Sequence, residues 1–457
     1  MKMRFLSVLF MQPVASFSPT RLARYRRCLT AVSAQKPKGG DNMARMGTGG
    51  LKALPAITPA NELISRARKK AYYVKEDTKL KNARQRARKH AAMQLDTLTK
   101  ELSVPLRTVV EGYRRQLGRL HPYEAVVAAL TVRALERDGT ATLEDCLAQV
   151  KATHKKVLEV GKASAAACNK AESAAEAMEL AELGTEATVR EMEQGLGPLA
   201  KMLSIQKALR AVPVIELEVP TVVLVGAPNV GKSSIIRAVS TGTPEVNDYP
   251  FTTRGVTIGH MFEGAASSSQ GQGQGGGEKE GTGRRFQIMD TPGVLSRPDE
   301  ERNEMESLTI ASLQHLPTAV VFVADLTGLS GDDKSSVLDQ CEVRRELRER
   351  FPRRPWLDVV SKADLRLVSD EEHARNLESF LEAVDSTAPP STKGGTVEKR
   401  GEEGFRASRD DVLFVSSLSG EGLVELRLRL GQMLMRVDVV LRDYERAQLK
   451  ARQQLEK

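Results

Sequence analysis

Gly226-Ala-Pro-Asn-Val-Gly-Lys-Ser233 decides the fold of this 457-residue chain. The octet has the spacing Gly-x4-Gly-Lys-Ser, follows the apolar run 222–225 and opens the amphipathic stretch 233–239. Strand, glycine-rich turn and helix N-terminus in that order wrap backbone N–H groups around phosphate, and the helix dipole favours the negative charge. Gly226, Ala227, Pro228, Asn229, Val230, Gly231, Lys232, Ser233 and Ser234 are therefore candidate nucleotide contacts. Lys232 is placed to bridge the outer phosphates, and Ser233 to give its hydroxyl to magnesium.

Outward from the octet, short apolar runs alternate with amphipathic ones. Residues 220–225, 256–262, 285–289, 319–324, 356–360 and 412–415 read as strands, and 232–240, 300–315, 332–350, 370–384 and 421–435 as helices. The alternation predicts an α/β P-loop domain over 211–436, a doubly wound and mostly parallel sheet covered on both faces. Two low-complexity segments interrupt it. Residues 264–283 are rich in Gly, Gln and Ser, and 386–410 in Pro, Gly, Lys and Glu, so both are expected as surface insertions.

The chemistry follows the order of the strands. Asp290 closes the third predicted strand, where a carboxylate holds a magnesium shell, and Gly293 leaves its amide open to a terminal phosphate. Between the first helix and second strand, Tyr249-Pro-Phe-Thr-Thr-Arg-Gly offers Thr253, or alternatively Thr252, as a magnesium ligand present only with the triphosphate. Metal candidates are thus Ser233, Thr253 and Asp290. Asp364, in Ser361-Lys-Ala-Asp, accepts two hydrogen bonds from the N1 and N2 edge of guanine, which adenine does not present. Lys362 lays its stem along the base, and the Ser417 amide, in Ser416-Ser-Leu418, meets the guanine oxygen. Val294 follows Gly293, and an apolar side chain does not orient an attacking water.

The first half is different in kind. From about 51 to 209 the chain is rich in helix formers, with 125–137, 142–160 and 162–202 apolar at helical spacing and Pro55, Pro59, Pro105 and Pro122 as caps or breaks. An all-α bundle over 48–210 is expected to precede the nucleotide domain, and 437–457 to form a charged helical tail. Overall charge is +9, with 40% apolar and 4% aromatic residues, as in a mixed or helix-rich protein of two or three domains. That charge is concentrated. Between residues 66 and 90, Arg66, Arg68, Lys69, Lys70, Lys81, Arg84, Arg86, Arg88 and Lys89, with Lys75 and Lys79, face only Glu76 and Asp77 within the run. Its self-repulsion is relieved by a phosphate backbone, so these are candidate RNA contacts.

Residues 1–47 carry Lys2, Arg4, Arg21, Arg24, Arg26, Arg27, Lys36 and Lys38 ahead of the first acid, Asp41, and read as an organellar transit leader. The short apolar run 5–11 is interrupted by Ser7 and lacks a nearby small-x-small site, which argues against a secretory signal. No apolar run reaches the roughly 18 residues of a membrane span, so a soluble or peripheral protein is expected. Cys28, Cys146, Cys168 and Cys341 are scattered, against a metal or disulfide framework.

Together these residues resemble the translation-factor-related GTPases of the Obg clan, specifically the nucleolar Nog family of large-ribosomal-subunit assembly GTPases. The likeness is carried by Leu54-Pro-Ala-Ile-Thr-Pro-Ala-Asn-Glu-Leu-Ile, Leu120-His-Pro-Tyr, Tyr249-Pro-Phe-Thr-Thr-Arg-Gly and Asp290-Thr-Pro-Gly-Val-Leu-Ser-Arg-Pro-Asp-Glu-Glu-Arg-Asn. It implies slow GTP hydrolysis with Mg2+ and with K+ held by Asn229, the catalytic set being Asn229, Lys232, Thr253 and Gly293. It further implies large-subunit ribosomal RNA and pre-ribosomal particle proteins as partners, the chain being monomeric outside the particle. With the leader, the site of action becomes the mitochondrial matrix, or alternatively a plastid. The family has Asn where this chain has Ser361, and Ser does not reproduce the amide's bonds to base and phosphate loop, so weaker guanine affinity is expected. Two rivals remain: an RNA-bound scaffold that barely hydrolyses GTP, and a tRNA-modifying GTPase. The latter carries a reactive Cys near its C-terminus, whereas the last Cys here is Cys341.

Overall fold

In the computed structural model, the described residues are 49–136, 142–250, 255–262, 284–327, 336–365, 370–386 and 409–455. The chain divides into two compact units, the first ending at Val212 and the second running from Pro213.

The first unit is helical throughout. A 3-10 turn, Gly50–Ala53, precedes α1 (Ala60–Tyr72), α2 (Ala83–Leu117), α3 (Pro122–Glu136), α4 (Leu143–Lys170), α5 (Ala174–Gln194) and α6 (Leu196–Ala211). Most starts have a chemical cause. Asn82 caps α2, Ser173 caps α5, and Thr142 with Asp145 forms a capping box on α4. Pro59 and Pro122 open helices as predicted, but Pro105 lies inside the unbroken 35-residue α2 and breaks nothing. A proline there costs about 3 kcal/mol, and the buried Leu95, Leu98, Leu102, Leu106 and Val109 around it outweigh that. The single stretch expected over 162–202 is instead divided at Ala171 and Gly195, where small residues allow the chain to turn between α4, α5 and α6.

The second unit is a seven-stranded sheet in the order β2-β3-β4-β1-β5-β6-β7. Its strands are β1 (Thr221–Val225), β2 (Glu245–Asn247), β3 (Val256–Phe262), β4 (Arg285–Asp290), β5 (Thr318–Ala324), β6 (Trp356–Val360) and β7 (Leu413–Phe414). β2 and β3 pair antiparallel with their neighbours, and the remaining pairs are parallel. The antiparallel β2 was not foreseen, so Asp290 closes the fourth strand and not the third. Helices are α7 (Lys232–Val239), α8 (Glu304–His315), α9 (Val337–Arg350), α10 (Asp370–Ser386) and α11 (Leu423–Leu455).

Alternate strand residues such as Val222, Leu224, Val321 and Val359 form one core with Ile235 and Ile236 of α7 and Leu426, Leu430 and Leu434 of α11. α11 runs unbroken through the boundary drawn at 436 and 437. Val437 belongs to that core, and the buried Asp438 binds Arg284 and Arg442, so the supposed tail begins as part of the sheet's cover. A buried pair, Arg344 of α9 bidentate on Asp358 of β6 at 2.7 and 2.8 Å with Ala383 of α10 accepting a third bond, ties the opposite helices to the sheet. β1 lies at the centre with β4 on one side and β5 on the other, a switch point where a ligand sits beyond the strand ends.

Candidate nucleotide and RNA sites

The phosphate loop leaves β1 at that point. Gly226 has φ +148°, and a Cβ there would lie 2.2 Å from the Val323 carbonyl oxygen, so only glycine lets the loop pass this close to β5. Asn229 (φ 60°) and Gly231 (φ 95°) turn the next amides before α7 starts at Lys232. Lys232 is 6% exposed, and its ammonium donates to the carbonyls of Gly226 at 3.1 Å and Ala227 at 2.6 Å. Burial pushes its pKa down to about 8, partly countered by Asp290. Phosphate oxygens in place of those carbonyls would bring negative charge to the ammonium and favour its charged form further.

Asp290, at the end of β4, accepts the Ser233 hydroxyl on Oδ2, while its buried Oδ1 has no hydrogen-bond partner. Burial raises its carboxyl pKa, against the Ser233 bond and the Lys232 charge. A hydroxyl and a half-satisfied buried carboxylate side by side fit a hard divalent cation such as Mg2+, which takes oxygen ligands. Thr253 and Thr252, the remaining metal candidates, lie outside the described residues.

Gly293 is pressed against the loop, since a Cβ there would meet the Pro228 nitrogen at 2.5 Å. The next amide, of Val294, donates to the Gly226 carbonyl at 3.1 Å, and the Val294 side chain is fully buried. Valine here is core, and offers no polar atom to water. The segment beyond is held by Glu306, which sequence reading missed. Its buried carboxylate accepts from the Leu295 amide (3.0 Å), Arg297 Nε (3.1 Å) and the Asn303 amide (3.0 Å). The signal was present as the capping box Asn303-x-x-Glu306 directly after the motif that opens with Asp290.

At the guanine end, Ser361 corrects an expectation. Its hydroxyl donates to the Val230 carbonyl at 2.6 Å and lies 3.1 Å from that of Ala324, so serine does tie this strand end to the phosphate loop. Short reach suffices because Ser361 is buried directly beside the loop. Lys362 adopts φ 55°, and its ammonium meets the buried Asp325 at 2.5 Å, a second missed partner that fixes the stem. Asp325 is itself held by Thr327 and Gln340. Asp364 is exposed. Ser416 is buried, and its hydroxyl accepts the amides of Leu418 (3.2 Å) and Ser419 (3.0 Å); none of these bonds uses the amide of the exposed Ser417. The structure therefore brings the Gly226–Ser233 loop together with Asp290, Gly293 and Ser361, and joins the turn after Ser361 to the end of β7 through the Ala363 amide and the Val415 carbonyl.

The basic run of the helical unit is less open than its sequence suggests. Arg66 and Lys70 pair with Glu101 of α2 (3.8 and 2.9 Å), and Arg68 pairs with Glu186 of α5 (2.7 Å). Arg86 meets Glu76 (3.4 Å), Lys89 meets Asp77 (2.7 Å), and Arg88 donates to the Ala171 carbonyl. Acids from distant helices, brought in by packing, neutralise part of the run. Lys69, Lys81 and Arg84 stay exposed and form no ion pair among the described residues. No described helix is long and apolar enough to cross a membrane, and no His/Cys/Asp/Glu metal cluster occurs among the described residues. Cys146, Cys168 and Cys341 are buried and form no disulfide among the described residues.

Comparison with known proteins matches both units. Residues 51–216 fit the NOG1 N-terminal helical domain, and residues 221–362 fit the 50S ribosome-binding GTPase family. The chain is 29% identical over 252 residues to nucleolar GTP-binding protein 1 of Arabidopsis thaliana, covering 55% of this chain and 32% of that one. It is 30% identical over 204 residues to the protein of the same name in Saccharomyces cerevisiae, covering 44% and 28%. It thus spans about a third of the length of these relatives. A solved structure of a Plasmodium falciparum nucleolar GTP-binding protein 1 aligns with TM-score 0.33 and 22% identity, over 54% of this chain and 98% of that one.

Proposed function

From the premise that the chain is a Nog1-type GTPase, joining a NOG1 N-terminal helical domain to a GTPase domain, we propose that it binds and slowly hydrolyses GTP as an assembly factor for the large subunit of a mitochondrial ribosome. Ribosomal RNA is held by the basic helical unit, pre-ribosomal proteins are the neighbours, and the chain is monomeric outside the particle. One observation carries the nucleotide chemistry: the buried Asp290, bonded to Ser233 through one oxygen and unpartnered at the other, faces the mouth of the Gly226–Ser233 loop. Mg2+ held there would supply positive charge to offset the charge developing on the phosphates. Ser233 would hold it directly, Asp290 would orient its shell, and Lys232 would neutralise the outer phosphates.

The ribosomal part draws on the name of the matched family and on the helical unit's unpaired cations, and the mitochondrial part on the acid-free leader. Affinity purification of the tagged chain from mitochondria, followed by sequencing of bound RNA, tests both. Enrichment of mitochondrial large-subunit RNA is expected; enrichment of tRNA or of cytosolic or plastid ribosomal RNA, or failure to recover the chain from mitochondria, overturns it.

The buried Val294 gives weight to a second reading, a nucleotide-stabilised scaffold with little turnover. Between the two stands potassium. Asn229, exposed at the crest of the loop, is the proposed K+ ligand that would replace a water-positioning side chain as the source of acceleration. Faster turnover in K+ than in Na+, lost in Asn229→Ala, is expected. Equal rates in the two salts, or a K+ response that survives the substitution, exclude this role.

A further inference from the structure

Five cations of the helical unit that have no ion-pair partner among the described residues lie on or beside the connection between α1 and α2. Along the helices the basic side chains are largely neutralised by Glu101 and Glu186. The connection is built the other way round. Its two acids pair with α2, Glu76 with Arg86 and Asp77 with Lys89, and Asp77 also accepts the Lys79 amide at 3.1 Å. Arg86 further holds the Leu80 carbonyl at 3.2 Å, and His90 Nε2 lies 2.9 Å from the Val74 carbonyl. The loop is therefore pinned to α2 by its own acids and carbonyls. Lys75, Lys79 and Lys81 are left exposed, flanked by the equally exposed Lys69 and Arg84, and none of the five has an ion-pair partner among the described residues.

Amid these cations stand two aromatic rings. Tyr72 is 77% exposed and Tyr73 69% exposed, edge to face with centroids 5.3 Å apart. In a chain with only 4% aromatic residues, both sit on the surface beside cations that have no ion-pair partner among the described residues, with Lys69 one helical turn before Tyr73. Fold stability gives no reason for this, since neither ring is buried. A base does: aromatic faces stack on unpaired nucleotides while nearby cations follow the phosphates. A duplex keeps its bases stacked and presents phosphates alone, so it would leave the rings idle.

We propose that the α1–α2 connection is the RNA-contacting edge of the helical unit and that its ligand is unpaired RNA, with Tyr72 and Tyr73 stacking on bases and Lys75, Lys79 and Lys81 contacting phosphates. This rests on the reading that the helical unit binds RNA.

The test is equilibrium binding of the full chain to an unstructured RNA of about 12 nucleotides and to a blunt RNA duplex of the same length. Wild type is expected to prefer the single strand. Tyr72→Leu with Tyr73→Leu should weaken single-strand binding by about tenfold or more while leaving the duplex within about twofold, and the Phe pair should restore it. Lys75→Gln, Lys79→Gln and Lys81→Gln together should weaken both probes and lower the single-strand salt slope by about 2. Normal single-strand binding by the Leu pair, or equal loss in the Phe pair, overturns the stacking role. If the loop variants bind normally and Arg68→Gln with Lys70→Gln does not, the edge is wrong while RNA binding by the unit stands. Failure of wild type to bind either probe overturns both and points to a protein partner.

Discussion

At the phosphate end of the nucleotide site two charged groups are buried and the backbone is constrained, whereas at the guanine end the base-reading candidates are exposed and shaped by turns. Lys232 and Asp290 are in the first class, with Gly226 and Gly231 held at positive φ by the close passage to β5 and the start of α7. Asp364, Ser417 and the 87% exposed Leu418 are in the second, positioned by Lys362 at φ 55° and by the Ser416 hydroxyl. Affinity is therefore anchored in the phosphates, where charge meets a pre-formed cradle. Specificity depends on a surface turn. Among the described side chains, the Ser361 hydroxyl joins the two, since it sits on the guanine strand and bonds the phosphate loop.

The contrast predicts a ranking. Lys232→Ala should weaken GTP and GDP alike by about 10³-fold in calorimetry, the loss of roughly 4 kcal/mol of charge-assisted bonding in a buried site. A loss below about tenfold would mean the phosphate end is not the anchor. Asp364→Ala should weaken GTP by about 10²-fold and leave ATP, already poorly bound, unchanged. If both nucleotides weaken together, Asp364 shapes the turn and does not read the base.

Gly293→Ala tests how tightly the terminal-phosphate segment must approach the loop. The added methyl overlaps Pro228 in the arrangement seen here, so hydrolysis should fall by tens of fold while GDP affinity stays within about twofold. Equal effects on both nucleotides would contradict a role confined to the triphosphate. Smallest are the changes at the link. Ser361→Ala should weaken GTP by about five- to tenfold, because the Val230 carbonyl loses its donor. Ser361→Asn should slow GTP dissociation by a few fold, read by stopped flow, since the longer amide adds reach toward the base. No change in the Asn variant would show that the serine already makes the connection that matters.

Much of this site was legible because it is local. The loop, Asp290, the Ser361-to-Asp364 stretch and the apolar strand runs are short motifs whose chemistry does not depend on distant residues. β2 was not legible, because Glu245-Val246-Asn247 has a single apolar residue and pairs only by completing an edge against β3. Glu306 was hidden as an ordinary helix-cap acid until three donors converged on it. Ser361 read as a deficit, since its reach to Val230 spans 131 positions in sequence. The same holds for the basic run, whose partners Glu101 and Glu186 arrive only through helix packing. Long-range polar pairing, in both units, is what composition and periodicity do not carry.

The central claim is that this nucleotide site acts as a timer on a ribosomal particle, since its buried Val294 offers no polar group to position water. Single-turnover GTP hydrolysis, in potassium, with and without mitochondrial large-subunit precursors, tests it most directly. Slow turnover by the chain alone and an acceleration of at least about tenfold on the particle are expected. Fast turnover without the particle, or no acceleration with it, would contradict it.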